Sequence, residues 1–214
     1  MDKRTRDFVI GTLAVGAAAV AIYFALDGGS QKINLGPYDV LGAVTAEETA
    51  KLLGNKGQVL VMARGTGANI NPSVEAELKA FQQTLRKQTG MSVIIDKAQV
   101  SPNQMMATGG GVPTEMFLKA IETHPNLGAL VLFMGFPQLN DAELEGLKKS
   151  GVKIVVACTI RPSDRQLIER QVIHLALVPR SDPPPTGAPA PRTVRERFDQ
   201  EFTIITPGAA ARLP

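Results

Sequence analysis

The sequence predicts an α/β domain in three layers, with a doubly wound parallel sheet of about five strands covered by helices on both faces. Two runs carry this prediction, residues 127–134 and 152–160, because few of their side chains are polar. Strands buried on both faces are uniformly apolar, whereas strands with one face in water alternate between apolar and polar residues. The same succession of strand and helix extends from residue 58 to residue 180. Repeated crossovers of this kind predict parallel strands joined by right-handed connections.

Five apolar segments are predicted to be strands because glycine, proline or polar residues bound them. They comprise residues 58–63, 91–95, 129–134, 152–159 and 172–178. Helices are predicted to begin near Thr45, Asn71, Thr114, Asn140 and Pro162, each ending before the next strand. The first, residues 46–53, follows the Thr45 to Glu48 spacing of a capping box, in which each side chain accepts a hydrogen bond from a free backbone amide. Residues 96–111 are predicted to be a long connection ending in three glycines.

Composition excludes several classes of function. The 214 residues carry a formal charge of only +3, with acidic residues among the basic ones, so no basic surface for nucleic acid is predicted. Cys158 is the single cysteine and lies in a strand pattern, which favours a small buried residue over a reactive thiol. His124 and His174 have no partners at metal-ligand spacing, so neither a metal nor a cofactor is predicted.

A transmembrane helix is predicted to precede the domain, at residues 8–26. Nineteen residues without a charge come close to spanning a hydrocarbon core of about 30 Å. The apolar run is longer than that of a cleavable signal and continues to Asp27, which favours an uncleaved signal anchor. Lys3, Arg4 and Arg6 place the N-terminus, residues 1–7, in the cytoplasm. The domain is then expected in the periplasm, anchored to the bacterial inner membrane.

The predicted span has a stripe of small residues on one face, which would allow another membrane helix to approach closely. The stripe consists of Ala14, Ala18, Ala21 and Ala25. The alternative is that alanine is simply tolerated in a lone anchor. Residues 27–44, rich in glycine and without clear periodicity, are predicted to be a tether. The globular domain is therefore assigned to residues 45–180.

The C-terminal segment, residues 181–214, changes in composition. Prolines between 183 and 191 favour extended polyproline geometry, so this part is predicted to be a spacer. Beyond the spacer the apolar residues recur at helical and then strand-like spacing, and a solvated linker would not need them. We predict a docking tail, formed by Val194, Phe198, Phe202, Ile204 and Ile205. Disorder is the alternative.

The succession from residue 58 to residue 180 resembles the N-terminal lobe of type I periplasmic binding proteins. The resemblance rests on the strand and helix rhythm, on the phrase at residues 126–132 before the third strand, and on residues 147–156 leading into the fourth. It implies a lobe that binds a small ligand under the cover of a second lobe. It also implies that Arg161 corresponds to the arginine of the Asp-Arg pair that commonly ends the fourth strand. Residues 158–160 contain no aspartate.

Candidate ligand-binding residues lie where the predicted strands end, because ligands of open parallel sheets bind outside the carboxyl ends of the strands. The candidates are Arg64, Thr66, Asn69, Asp96, Phe136, Thr159 and Arg161. Arg64 and Arg161 could hold a carboxylate or phosphate through paired hydrogen bonds. The alternative is that both arginines are solvated and paired with Asp96.

No catalytic residue is assigned, because no reaction motif is complete. Gly65-Thr-Gly67 lacks the third glycine of a dinucleotide fingerprint, and Gly109-Gly-Gly111 lacks a following lysine. The sequence favours a non-catalytic accessory subunit of a larger membrane complex of respiratory or photosynthetic type, whose partners are other membrane subunits and the lipid bilayer. The alternative is a membrane-tethered small-ligand-binding or sensory domain related to periplasmic binding proteins. An enzyme of unspecified reaction is the third possibility.

Overall fold

The structure, a computed structural model, describes residues 33–65, 70–158, 161–182 and 190–212. Leu35–Pro214 forms one compact unit. Seven α-helices, six strands and a 3-10 helix lie within the described residues. In chain order they are α1 Gly36–Leu52, β1 Gly57–Gly65, α2 Pro72–Leu85, β2 Met91–Gln99, α3 Pro102–Ala107, α4 Thr114–Glu122, β3 Leu127–Leu132, α5 Asp141–Ser150, β4 Lys153–Ala157, α6 Asp164–Glu169, β5 Leu175–Pro179, α7 Val194–Glu201, β6 Phe202–Ile205 and the 3-10 helix Pro207–Arg212.

The six strands form one sheet in the order β2-β1-β3-β4-β5-β6. The first five are parallel, and β6 runs antiparallel to β5, with Pro179 opposite Phe202. The α/β class and the parallel core are therefore confirmed, while the prediction of about five strands omitted an antiparallel edge strand. The strand order reverses between β1 and β3, since the chain first moves outward to β2 and then crosses to β3.

Helices cover both faces, which confirms the three layers. On one face, side chains of alternate strand positions such as Leu130 and Ile154 pack with α4, α5, α6 and the 3-10 helix. On the other face, the intervening positions such as Val131 and Val155 pack with α1, α2 and α7. Strands buried in this way need apolar residues at every position, which explains the uniform runs in the sequence.

Helix α1 corrects the predicted tether, which was placed at residues 27–44. The helix begins at Gly36, with Pro37 in its first turn, where a missing amide hydrogen costs nothing. Val40, Leu41 and Val44 are buried on the sheet. The predicted capping box does not form, because Thr45 lies inside the helix and its hydroxyl donates to the Leu41 carbonyl at 2.7 Å. The glycine and proline at residues 36–37, interpreted as loop signals, instead mark a helix start.

Gly42 allows α1 and α2 to approach closely. A Cβ atom at this position would lie 2.1 Å from the carbonyl oxygen of Glu77 in α2. Backbone cannot yield as a flexible side chain can, so only glycine fits at this crossing. The contact fixes the spacing of α1 and α2 at Glu77.

A short helix interrupts the predicted connection at residues 96–111. Strand β2 extends to Gln99, and α3 follows with Ser101 and Gln104 forming a capping box. None of the six residues of α3 is buried. Met106 is 83% exposed, whereas its neighbour Met105 packs against the core. This helix therefore lies at the rim of the domain, beside the carboxyl ends of the strands.

The aromatic residues of the tail pack on the domain's own core, which corrects the expectation that they dock on another chain. Phe198 and Ile205 are fully buried and Phe202 is 9% exposed. The rings of Phe198 and Phe202 stack at 5.4 Å, and Arg195 pairs with Glu48 of α1 at 2.7 Å. Ile204 is partly buried and Val194 is 49% exposed. Strand β6 covers the edge of β5, which would otherwise be exposed. This position in the sheet explains why the tail contains apolar residues.

No helix among the described residues is long and apolar enough to cross a membrane. The predicted span at residues 8–26, with its stripe of Ala14, Ala18, Ala21 and Ala25, lies outside the described residues. The prolines at residues 183–185 and 189 also lie outside them.

Candidate functional site

A cavity opens at the carboxyl edge of the sheet, close to the point where the strand order reverses. Its volume is about 390 Å³. Open α/β sheets bind ligands at such points, because the connections on either side diverge and leave a crevice. The cavity is lined by Met105, Gly109, Gly110, Phe133, Met134, Gly135, Cys158, Arg161 and Asp164.

One wall of the cavity consists of backbone from the glycine turn after α3. Gly109 and Gly110 have φ angles of 58° and 82°, which residues with a Cβ rarely adopt. The Gly135 amide donates to the Gly110 carbonyl at 3.1 Å, holding the turn against the chain after β3. A Cβ at Gly111 would lie 2.6 Å from the Phe136 carbonyl oxygen. The backbone of Gly109, Gly110 and Gly135 therefore lines one side of the cavity.

Arg161 and Asp164 form an ion pair that lines the cavity. The Arg161 Nη2 donates to Asp164 Oδ1 at 3.1 Å, and the Arg161 backbone amide donates to Oδ2 at 2.9 Å. The Asp164 side chain is 2% exposed and the Arg161 side chain 27% exposed. The carboxylate thus has its charge balanced and its oxygens hydrogen-bonded, as a buried acid requires.

Arg161 also joins two loops. Its Nη2 donates to the carbonyl oxygen of Phe136 at 2.7 Å, which links the segment after β3 to the segment after β4. The Phe136 ring is fully buried and meets Phe117 of α4 edge-on at 5.5 Å. Phe136 therefore supports the site through its backbone carbonyl and through packing, while its ring stays in the core.

Cys158 lines the cavity but is not suited to nucleophilic chemistry. Burial, with further contributions from Asp164 and Glu77, raises the pKa of the thiol to about 12. We expect Cys158 in the folded chain to react with an exposed-thiol reagent at pH 8 at least about 100-fold more slowly than in urea, because the thiolate is the reacting species. Following the reaction by absorbance checks this. Equal rates in the folded and unfolded chain would contradict it.

Glu77 is a buried acidic residue at the crossing of α1 and α2, where its backbone faces Gly42. It is 9% exposed, and burial raises its pKa to about 7. It lies one turn before Phe81 in α2, and the Phe81 ring meets that of Phe133 at 5.9 Å. Helix α2 begins at the carboxyl edge, so Glu77 lies nearer that edge than Phe81 does.

The structure brings together only part of the predicted residue set. Arg161 lines the cavity, and Phe136 supports it through its carbonyl. Arg64 and Asp96 are exposed residues of β1 and β2 that do not line this cavity. The partner of Arg161 is Asp164 rather than Asp96. Thr66, Asn69 and Thr159 lie outside the described residues.

Sequence reasoning missed Asp164 and the glycine turn as components of the site. Asp164 had a signal, because it follows Arg161 by three residues across a helix start. The methionines of α3 had none, because the helix itself was not predicted. Within the described parts of the chain, no group of three histidine, cysteine or acidic side chains could hold a metal ion.

A second cavity, of about 370 Å³, opens at the opposite, amino edge. Two of its four charged residues are paired outside it, Lys148 with Glu145 and Glu169 with Arg165. His174 lies there with its Nδ1 accepting a hydrogen bond from the Ile154 amide at 3.2 Å, and burial lowers its pKa. The hydrogen bond of His174 stabilises the start of β4. The carboxyl-edge cavity is therefore the better candidate for a ligand-binding site.

Solved structures of sugar-binding proteins share this architecture. AraP, an arabinose binding protein from Geobacillus stearothermophilus, has a TM-score of 0.59 at 15% identity, over 83% of this chain and 63% of that one. A sugar-binding protein of a sugar ABC transporter from Bacillus halodurans has a TM-score of 0.56 at 16% identity, over 81% and 63%. A solute-binding protein from Burkholderia graminis C4D1M, in complex with D-arabinose, has a TM-score of 0.55 at 16% identity, over 82% and 61%. Neither a protein-family model nor a curated protein sequence matches the chain.

The chain therefore has the architecture of periplasmic binding proteins, and the predicted resemblance is confirmed at the level of the fold. Identities near 15% are evidence of the fold alone. The chain spans about three fifths of the length of these proteins.

Proposed function

We propose that this protein is a small-ligand-binding domain of the periplasmic-binding-protein type, with its ligand in the carboxyl-edge cavity. The observation that carries the proposal is the position of the cavity, at the carboxyl edge between the ends of β3 and β4, next to the strand pair where the order reverses. The three solved structures compared above are described as sugar-binding or solute-binding proteins, which supports binding rather than catalysis.

The lining indicates the size and character of the ligand. A volume of about 390 Å³ lies at the lower end of the range of about 300 to 1,000 Å³ for small-molecule sites. Met105, Phe133 and Met134 supply apolar surface, while the glycine turn and Arg161 supply polar groups. An apolar pocket with a few fixed polar groups is the usual composition of such sites. The ligand is therefore a compact molecule with both apolar and polar parts.

A thermal-shift screen with sugars, amino acids and nucleotides tests the proposal. A ligand at about 100 times its dissociation constant should add about 2.7 kcal/mol of stability. We expect Met105→Trp, which fills the cavity from its rim, to abolish that shift. Met106→Trp is the matched control. Met106 follows Met105 in the sequence, but it is 83% exposed and does not line the cavity. If the thermal shift persists in Met105→Trp, the ligand binds outside this cavity.

We further propose that residues 8–26 anchor the domain to the bacterial inner membrane with the N-terminus in the cytoplasm. The support is the length and charge pattern of that segment in the sequence. Protease added to intact spheroplasts should then remove the domain, while osmotic lysis should make no further difference. Protection of the domain until lysis would contradict this orientation.

The accessory-subunit hypothesis loses one of its main arguments in the structure. It relied partly on a tail that would bury aromatic residues against another chain, and those residues are buried in this chain's own sheet. The ligand-binding alternative is therefore the function that we favour.

A further inference from the structure

A groove of about 360 Å³ opens between α1, α2 and the start of α7. It shares no lining residue with the carboxyl-edge or the amino-edge cavity. Its apolar lining includes Val40 and Ala43 of α1 and Ala80 of α2, and Val194 of α7 is 49% exposed there. The ligand-binding site proposed above therefore does not account for this groove.

The charged residues of the groove are mostly basic. Lys79, Lys87 and Arg197 line it together with a single carboxylate, Asp39, so the lining carries a formal charge of +2. All three cations are exposed, and within the described residues none of their side chains has an ion pair or a hydrogen bond. Surfaces that bind anionic lipids combine apolar area with cations in this way.

Cations of the same helices that lie outside the groove are paired within the domain. Lys51 of α1 and Arg195 of α7 both bind Glu48, and Arg195 also binds Asp199. An acid of the same chain is thus at hand for Arg195 but not for Arg197, two residues further along α7. The cations of the groove are therefore left to bind an anion from outside the domain.

The groove lies at the start of α1, close in the chain to the proposed membrane anchor. Nine residues, 27–35, separate the predicted span from Gly36, where α1 begins. When extended they reach about 30 Å, which is less than the width of about 40 Å of a domain of about 180 residues. Asp39, Val40 and Ala43 lie in the first turns of α1 and line the groove. A membrane that holds residues 8–26 is therefore within reach of the groove.

Resting on the membrane anchor proposed above, we propose that this groove docks the domain on anionic phospholipid head groups of the bilayer. Lipid phosphates accept hydrogen bonds from Lys79, Lys87 and Arg197, and Val194 contacts the apolar boundary below the head groups. Each cation near an anionic membrane surface raises the affinity by about fivefold. The attraction extends over about 10 Å at 0.1 M salt, so docking weakens as salt is added.

A single introduced tryptophan tests the docking, because the chain contains none of its own. Val194→Trp reports on the groove, and Met106→Trp, at a residue that is 83% exposed on α3, is the reference. The full chain is placed in nanodiscs, one copy in each, in which a fixed share of the lipid carries a nitroxide on its head group and quenches nearby tryptophan. In phosphatidylglycerol at low salt we expect the quenched fraction for Val194→Trp to exceed that for Met106→Trp at least about threefold. In phosphatidylcholine, or at high salt, the two fractions should become about equal.

Charge reversal tests the role of the three cations. In the Val194→Trp chain, the combined change Lys79→Glu, Lys87→Glu and Arg197→Glu should remove the excess quenching in phosphatidylglycerol. The matched control reverses three exposed cations of α4, α5 and the end of α6, and it alters the net charge by the same amount. It consists of Lys119→Glu, Lys149→Glu and Arg170→Glu, and it should leave the excess in place. Circular dichroism confirms that both variants are folded.

Several outcomes would overturn the proposal. Equal quenching at the two positions in phosphatidylglycerol would do so, as would an excess that survives the reversal of the groove cations. An excess that occurs only in discs with two copies would assign the groove to a contact between copies. Complete suppression by inorganic phosphate at constant ionic strength would assign it to a free anion instead of a lipid surface.

The membrane anchor is tested separately. If alkaline carbonate extracts the chain from bacterial membranes, residues 8–26 do not anchor it, and the docking proposal fails with the anchor. If the chain resists extraction but shows no quenching that depends on phosphatidylglycerol, the anchor stands and the docking proposal alone is wrong.

Discussion

Replacing Phe198 by alanine is expected to lower the free energy of unfolding by about 3 to 5 kcal/mol, the usual cost of truncating a buried aromatic residue. Phe198 is fully buried and stacks on Phe202, and both lie in the core cluster that includes Leu177. The loss removes the contact that holds α7 on the sheet. Urea unfolding followed by circular dichroism measures the effect. Ending the chain at residue 189 should destabilise it at least as much, because β6 is lost as well.

Val194→Ala is the matched control for this prediction, since Val194 begins the same helix but is 49% exposed. We expect its effect to stay within about 0.5 kcal/mol, as for most surface substitutions. If Phe198→Ala and Val194→Ala had equal small effects, the tail would not be part of the folded domain. The earlier expectation of a tail that docks on another chain would then regain its support.

Replacing Glu77 by glutamine should make the chain more stable at pH 8 and leave it almost unchanged at pH 4.5. Burial raises the pKa of Glu77 from 4.5 to about 7, so the folded state disfavours the ionised form. Stability from the protonated form is fully present below pH 4.5 and is lost as the pH rises through 7. At about 1.36 kcal/mol per pH unit this difference corresponds to about 3 kcal/mol. Glutamine has no such titration.

Urea unfolding at pH 4.5, 6, 7 and 8 checks the prediction, with Glu75→Gln as the control on the same helix. Glu75 is exposed and pairs with Lys97, so its replacement should change stability little at any of these pH values. A constant difference between wild type and Glu77→Gln across the pH range would show that Glu77 does not titrate in an enclosed position.

Much of the core architecture was predictable because burial on both faces leaves a clear pattern. Strands β3 and β4 are uniformly apolar, and the helix between them has a capping box of Asn140 and Glu143 and ends at Gly151. These local signals agree with the sheet that forms. The helix-to-strand rhythm was therefore sufficient to indicate both the parallel sheet and the resemblance to periplasmic binding proteins.

The predictions of a tether and of a docking tail were wrong because, in both segments, the local sequence signals disagree with the tertiary packing. Gly36 and Pro37 are typical of loops, yet burial of Val40 and Val44 extends α1 back to Gly36. The tail follows a proline-rich segment, and its helix and strand are stabilised by distant contacts with α1 and β5. No periodicity within the tail could reveal that the surface it covers belongs to the same chain.

The site was predictable as a location but not as a set of side chains. The rule for open sheets indicated the carboxyl edge, and Arg161 lies there. The rule does not state which face a strand-end residue takes, so Arg64 and Asp96 were included although they are exposed outside the cavity. The pairing of Arg161 with Asp164 and the contact of the glycine turn with Gly135 depend on tertiary packing, which the sequence does not reveal.

The central claim, that the carboxyl-edge cavity is a ligand-binding site, is tested most directly by nuclear magnetic resonance of methionine methyl groups. Met105 and Met134 line the cavity, whereas Met91 begins β2 at the opposite edge and serves as the internal reference. Their signals can be assigned by single methionine-to-leucine substitutions. During titration with the sugars, amino acids and nucleotides of the screen, the signals of Met105 and Met134 are expected to shift together and saturate while that of Met91 stays in place. Signals of Met105 and Met134 that remain unmoved by every compound, or a shift confined to Met91, would contradict it.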